Sequence, residues 1–256
     1  MKIFSRRSVV LCAVLLVTAW GFADQQYSEV FDQTYALEEG GSVALDNVNG
    51  DVSIEVWERP EVQVHAVKKA SSQELLDGLK INVKADGSAV RIDTDYPSTR
   101  GHWNGEGARL EVEYTLTVPR SAALDDIDLV NGNLSVAGVE GGIQAASVNG
   151  TIVVRDSAGD AVLSTVNGGI ELYVDRLGST DEVGLESVNG SIDLYLSSSV
   201  GADVRAESVN GGIQNAFGLE VHKGKYVGSD LHGAIGGGGA RVGLETVNGK
   251  IAVLAW

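Results

Sequence analysis

Val130-Asn131-Gly132, Val148-Asn149-Gly150 and Val166-Asn167-Gly168 follow one another at 18-residue intervals, and the tripeptide returns at 188–190, 209–211 and 247–249. An earlier copy sits at 48–50. From 130 onward the intervals are 18, 18, 22, 21 and 38 residues. Self-similarity at such a period marks a repeat architecture.

The residues around the tripeptide say what each repeat is. Three positions after Asn stand Leu134, Ile152, Ile170, Ile192, Ile213 and Ile251. Five after it stand Val136, Val154, Leu172, Leu194, Asn215 and Val253, with Asn215 alone breaking the apolar column. Polar residues alternate with these, so the stretch reads as a strand with one buried face. Reading backward, Ser147, Thr165, Ser187, Ser208 and Thr246 precede the Val, and Ala145, Leu163, Leu185, Ala206 and Leu244 lie two residues earlier. A second strand with the same period results.

The expected fold is all-β: a β-solenoid, β-helix- or β-roll-like, with rungs of roughly 18–22 residues. Each rung holds two short strands and two bends. Asn-Gly supplies one bend, on the argument that both residues tolerate positive φ. Longer rungs have longer bends, such as 175–181. The gap of 38 residues is read as hiding a degenerate rung at Leu231-His232-Gly233-Ala234-Ile235. Rungs stack roughly 4.8 Å apart. Asn then lies over Asn, Glu171 over Asp193, Glu186 over Glu207 and Tyr173 over Tyr195.

Residues 1–23 read as a secretory signal: Lys2, Arg6 and Arg7, an apolar run from Ser8 to Trp20, then Gly21-Phe22-Ala23. Ser5-Arg6-Arg7 fits either a twin-arginine signal or an ordinary charged start. Cys12, the one cysteine, leaves with the signal, so no lipid anchor or disulfide is expected. No later stretch is long enough to cross a membrane as a helix. Losing Lys2, Arg6 and Arg7 takes the net charge from −16 to −19. Such a surface disfavours nucleic acid and anionic membrane as partners.

Residues 24–120 read as a β-rich part. Residues 43–54 repeat the rung pattern. Glu61 to Val67 is a strand with Val62, Val64 and Ala66 on one side. Ser71-Ser72-Gln73-Glu74 opens one short helix running to Leu79. A hairpin turns at Asp86-Gly87, and Leu110 to Val118 is a long strand. This part caps the array at 121–256, whose open end is a bare strand edge. Trp256 is expected to cover the interior at the other end.

Together, Asn47-Val48-Asn49-Gly50-Asp51-Val52 with Trp57, Val118-Pro119-Arg120, the serial Ser/Thr-Val-Asn-Gly-x-Ile units and Gly236-Gly237-Gly238-Gly239-Ala240 resemble a known family. It is the exported bacterial β-strand-repeat family with the label "putative adhesin", a domain of unknown function. The resemblance spans nearly all of 25–256. It implies an exported β-solenoid and assigns no functional residues.

Candidate chemistry is sparse. His65, His102, His222 and His232 form no zinc-binding spacing. His222 and His232 share an insertion with Lys223, Lys225 and Asp230, which could be a polar cluster or solvated loop. Gly236 to Gly239 lacks the Lys of a phosphate loop and reads as a tight bend. The carboxylate columns read either as a solvated acidic face or as a cation site, and Tyr173 with Tyr195 either as a sugar-stacking pair or as cross-strand packing. The C-terminal Trp256 raises an outer-membrane barrel, against which short rungs and charged outward positions argue. The expected function is non-enzymatic: an adhesin-like or structural interaction module in the periplasm or at the cell surface, with an envelope protein or glycan as partner and no cofactor. The alternative is a carbohydrate-active enzyme with acidic residues on one face.

Overall fold

A computed structural model describes residues 26–98, 109–224 and 227–256. The signal reading at 1–23 and the loop residues His102 and Trp103 lie outside the described residues, as does Lys225. The protein is all-β with one short helix. Among the described residues its strands form two mixed sheets, of ten and eleven strands, neither closed on itself. A barrel has no free edges, so the outer-membrane barrel is not this fold.

The chain starts with β1 (Tyr27–Ala36), β2 (Ser42–Asn49), β3 (Val52–Trp57) and β4 (Glu61–Ala70). Val62, Val64 and Ala66 of β4 are fully buried. Helix α1 (Gln73–Gly78) is capped by Ser72, whose Oγ accepts from the Leu75 amide at 3.3 Å. Its neighbour Ser71 accepts from the Arg109 amide instead. The hairpin of β5 (Lys80–Ala85) and β6 (Ala89–Asp95) turns at Gly87, φ +95°. There the Asp86 carboxylate accepts from both the Ser88 and Ala89 amides. Strand β7 (Leu110–Pro119) follows.

The array continues as alternating strands: β8 (Ala123–Asn131), β9 (Leu134–Ala137), β10 (Ile143–Asn149), β11 (Ile152–Ala158), β12 (Ala161–Asn167), β13 (Ile170–Arg176), β14 (Glu182–Asn189), β15 (Ile192–Leu196), β16 (Ala202–Asn210) and β17 (Ile213–Asn215). Then come β18 (Val221–Lys223), β19 (Ser229–Ile235), β20 (Ala240–Asn248) and β21 (Ile251–Ala255). At each Gly corner the chain passes from the eleven-stranded to the ten-stranded sheet. Parallel pairing sets Asn149 opposite Asn131 and Asn167, and Ile152 opposite Leu134 and Ile170. Both apolar columns turn inward: Ile152, Val154, Ile170, Leu172, Ile192 and Leu194 are fully buried. They meet Leu163, Leu185 and Leu244 of the other sheet in one continuous core. The N-terminal strands share this core. β3 lies between β7 and β9, and β2 between β6 and β8.

The order of layers departs from the sequence reading. The last strands, β20 and β21, are not outermost. β20 lies between β14 and β16, and β21 between β15 and β17. The expected rung at Leu231–Ile235 is instead β19, antiparallel to β16 beyond it. His232 pairs with Arg205 in mid-strand, away from the Asn corners, and the chain reverses through Gly236 to Gly239, all four with positive φ. Trp256 therefore closes no interior; it is 54% exposed on the outer face. Nor does Glu186 lie over Glu207, because Glu245 stands between them.

Two bulges adjust the register. Asp126 (φ 57°) and Asp156 (φ 53°) are the non-glycine residues with positive φ among those described. Each sits where β8 or β11 holds one residue more than its neighbour. These bulges place their extra residue in the left-handed region, which Asp tolerates better than most residues do. Asn215, the break in the apolar column, stays near the surface and organises a turn. Its Oδ1 accepts from the Phe217 and Leu219 amides, and its Nδ2 donates to Leu219 O.

Candidate interaction surface

The corner of each layer is built by three residues with different tasks. The Asn side chain is exposed and bonded to its counterparts. Asn131 donates to Asn49 at 2.9 Å, Asn149 to Asn131 at 2.8 Å, Asn167 to Asn149 at 2.8 Å and Asn189 to Asn167 at 2.9 Å. Asn248 and then Asn210 complete the ladder. The Ser or Thr preceding Val points inward and donates across the layer boundary: Thr165 Oγ1 to Gly150 O at 3.0 Å, Ser187 Oγ to Gly168 O at 3.1 Å, Thr246 Oγ1 to Gly190 O at 3.0 Å. In the first layer Asn47 takes this slot, because the neighbour there is β7 and the accepting carbonyl is that of Val112, 2.9 Å away. Tyr96 closes this network, its hydroxyl donating to Asn47 Oδ1 at 2.9 Å. The Tyr96 hydroxyl is pushed up to about 12 by burial.

Glycine is needed at the corner for space. Only Gly50 among the corner glycines has positive φ, so the reading of the bend through positive φ fails. A Cβ on Gly150 would collide with Gly132 O, and one on Gly168 with Gly150 O. Layers approach so closely at the corner that no side chain fits between them.

The same alternation that turns Ser or Thr inward turns Val outward. Val48, Val130, Val148, Val166, Val188, Val247 and Val209 form one row in stacking order, each between 39% and 50% exposed. Two residues before each Val the next outward position carries Asp46, Asp128, Ala146, Ser164, Glu186, Glu245 and Glu207. Between the two rows runs a groove of about 670 Å³, floored by the buried residues that lie between them. Its length is six strand spacings, about 29 Å. Successive outward positions on a strand are ~7 Å apart, which sets its width. The sequence reading missed this surface by treating Val-Asn-Gly only as scaffold.

Of the sequence-derived candidates, Glu186 and Glu207 line this groove and the others lie elsewhere. Glu171 and Asp193 are paired on neighbouring strands of the ten-stranded sheet. Burial, then the Glu171 charge, raises the Asp193 carboxyl above its ordinary value. Arg155 reaches Glu171 at 3.6 Å. These carboxylates stand side by side on one wall, whereas sugar hydrolysis needs a pair flanking the scissile bond. Tyr173 and Tyr195 stack on each other with centroids 4.1 Å apart and planes 1° from parallel. Arg155 lies over Tyr173 at 5.4 Å, and Trp256 meets that ring edge-on at 5.9 Å. Both Tyr173 faces are thus occupied, as cross-strand packing requires. His222 approaches Glu220 and Asp230, each at 3.8 Å, while His232 lies opposite Arg205. His65 stands 3.5 Å from Asp32. Among the described residues no three His, Cys, Asp or Glu converge as metal ligands.

No protein-family model matches the chain, and no curated protein matches it. Among solved structures it is similar to a "putative cell adhesion protein" from Clostridium sporogenes, at 15% identity and TM-score 0.49, covering 89% of this chain and 100% of that one. A "putative adhesin" from Bacteroides fragilis gives 13% identity and TM-score 0.38 over 88% and 97%. A "putative lipid binding protein" from Parabacteroides distasonis gives 11% and 0.30 over 88% and 96%. Likenesses at this level decide no function.

Proposed function

We propose that the chain is an exported, non-enzymatic β-solenoid whose valine-lined groove is an adhesin-like binding surface for a component of the cell envelope or exterior. In this reading residues 1–23 are removed as a signal, 24–120 form the capping part and 121–256 carry the layers. The in-register corners and continuous core support the winding. One observation carries the function: the uninterrupted row of half-exposed valines. Exposed apolar residues scattered singly need no explanation, but a contiguous row marks an interaction site. β-Sheet surfaces facing water ordinarily carry polar residues at such positions.

The test is a photo-crosslinking residue at position 166 in the native cell, with position 135 on the outer face of the other sheet as control. Capture of a discrete envelope protein or glycan from 166 alone is the expected result. No captured species, together with turnover of a polysaccharide by the purified protein, would overturn the reading in favour of a carbohydrate-active enzyme.

A further inference from the structure

We infer that the groove takes an extended, cationic amphipathic polypeptide segment, one with alternating Lys or Arg and aliphatic residues. The inference rests on the interaction reading above and adds the chemistry of the partner.

The two walls of the groove differ in kind. One is the valine row, all methyl groups. The other is acidic at both ends: Asp46 and Asp128 at the cap, Glu186, Glu245 and Glu207 at the far end. Ala146 and Ser164, with short uncharged side chains, stand between the two acidic stretches. An extended chain sends successive side chains to opposite sides. Laid along the groove, it turns every second residue to the valines and the others to the carboxylates. About nine residues at ~3.3 Å each span its ~29 Å.

The negative charge is not used up within the protein. Arg91 lies 3.6 Å from Asp46, and Arg205 2.6 Å from Glu207. Glu186 and Glu245 have no ion pair among the described residues. Their strands carry Gly184 and Gly243 at the next outward position, where β16 has Arg205. Two adjacent carboxylates beside an apolar strip are complementary to cations borne on an apolar chain. A second copy would bring the same acidic wall against this one, at a net charge of −19 each once Lys2, Arg6 and Arg7 are removed with the signal. An anionic lipid surface meets the same repulsion.

The probe is a fluorescent peptide of five Lys-Val repeats, about 33 Å when extended, titrated by anisotropy into the purified protein at low and physiological salt. Five Glu-Val and five Lys-Ser repeats are the comparators. The Lys-Val peptide is expected to bind about tenfold more tightly than either. V148T/V166T/V188T, isosteric and surface-located, is expected to lose about tenfold, as is E186Q/E245Q, while E171Q on the other sheet changes nothing. Unchanged melting shows that the variants fold. Equal binding of Glu-Val, or Lys-Ser binding as tightly with the valine variant unaffected, would overturn the inference; the second result is adsorption to an acidic protein. A valine-dependent dimer in sedimentation, or valine-dependent binding to phosphatidylglycerol vesicles, would overturn it in favour of a second copy or a membrane. If no peptide binds while position 166 still captures an envelope component, the docking surface stands and this partner chemistry falls.

Discussion

Asn248 donates its side-chain amide to Asn189 across 2.8 Å of space and 59 residues of chain, while Asn210 donates to Asn248 from the other side. The final copy of the repeat is therefore an inner rung of the ladder. β20 pairs along its length with both β14 and β16.

Deleting residues 240–256 should unfold far more than an end. The deletion leaves β16 and β17 with no parallel partner, and exposes Leu185, Leu194, Val204 and Ala206, all fully buried now. In hydrogen exchange, the amides of 202–210 should lose protection, with a melting transition lowered or broadened. Retained protection of the amides on the edge facing β20, as distinct from those bonded to β19, would show that β16 docks directly on β14 and that the inserted order is wrong.

Gly168→Ala and Gly184→Ala separate crowding from strand propensity. The first puts a methyl group onto Gly150 O and should destabilise by about 1–3 kcal/mol, the usual penalty for overpacking. Gly184 faces outward, and a methyl group there would meet nothing within 4 Å. Its replacement should stay within about 0.5 kcal/mol of the parent. Urea denaturation of the two variants checks the difference.

The ladder should be graded by position. Asn167 gives one amide bond and receives one, whereas Asn210 ends the ladder and only gives. With each bond contributing about 0.5–1.5 kcal/mol net, Asn167→Ala should lose roughly twice what Asn210→Ala loses. Equal losses in denaturant titrations would mean that the ladder adds nothing beyond each corner's own backbone.

Asp193 carries a pH signature. Its folded pKa lies above the ordinary 3.8 because of burial and the Glu171 charge. The folded state thus holds this proton more tightly than the unfolded chain does. The contribution is unfavourable above the folded pKa, and stability rises as pH falls through it toward 3.8. Asp193→Asn should raise the melting temperature at pH 7, and its advantage should shrink toward pH 4. An advantage independent of pH would remove the electrostatic cause.

Much of this architecture was legible in residue order, and the reasons are physical. A period of two around each tripeptide identifies Ile152, Val154 and Leu163 as core, because alternate side chains of a strand share one face and the apolar column marks which face that is. The hairpin at Asp86-Gly87 and the helix after Ser72 follow from turn and cap chemistry. The order of layers was not legible: Val-Asn-Gly corners are interchangeable, and any two can stack. Leu231-His232-Gly233 imitates a corner, yet the antiparallel run of β19 sets His232 opposite Arg205 and not in the Asn ladder. The groove was legible too. If Ser147 and Ala145 point inward, Ala146 and Val148 point outward. The role of the corner glycines was not, because spacing alone cannot tell a φ requirement from the approach of Gly132 O.

The inserted C-terminal layer also fixes a sequence of events in time. A chain whose later segment fills a middle position cannot complete its fold from front to back. The N-terminal layers can assemble as they emerge, but the stretch from Ala202 must wait until residues 240–256 arrive to join it. Nascent chains that stop short of 240 would carry that stretch exposed and open to proteolysis.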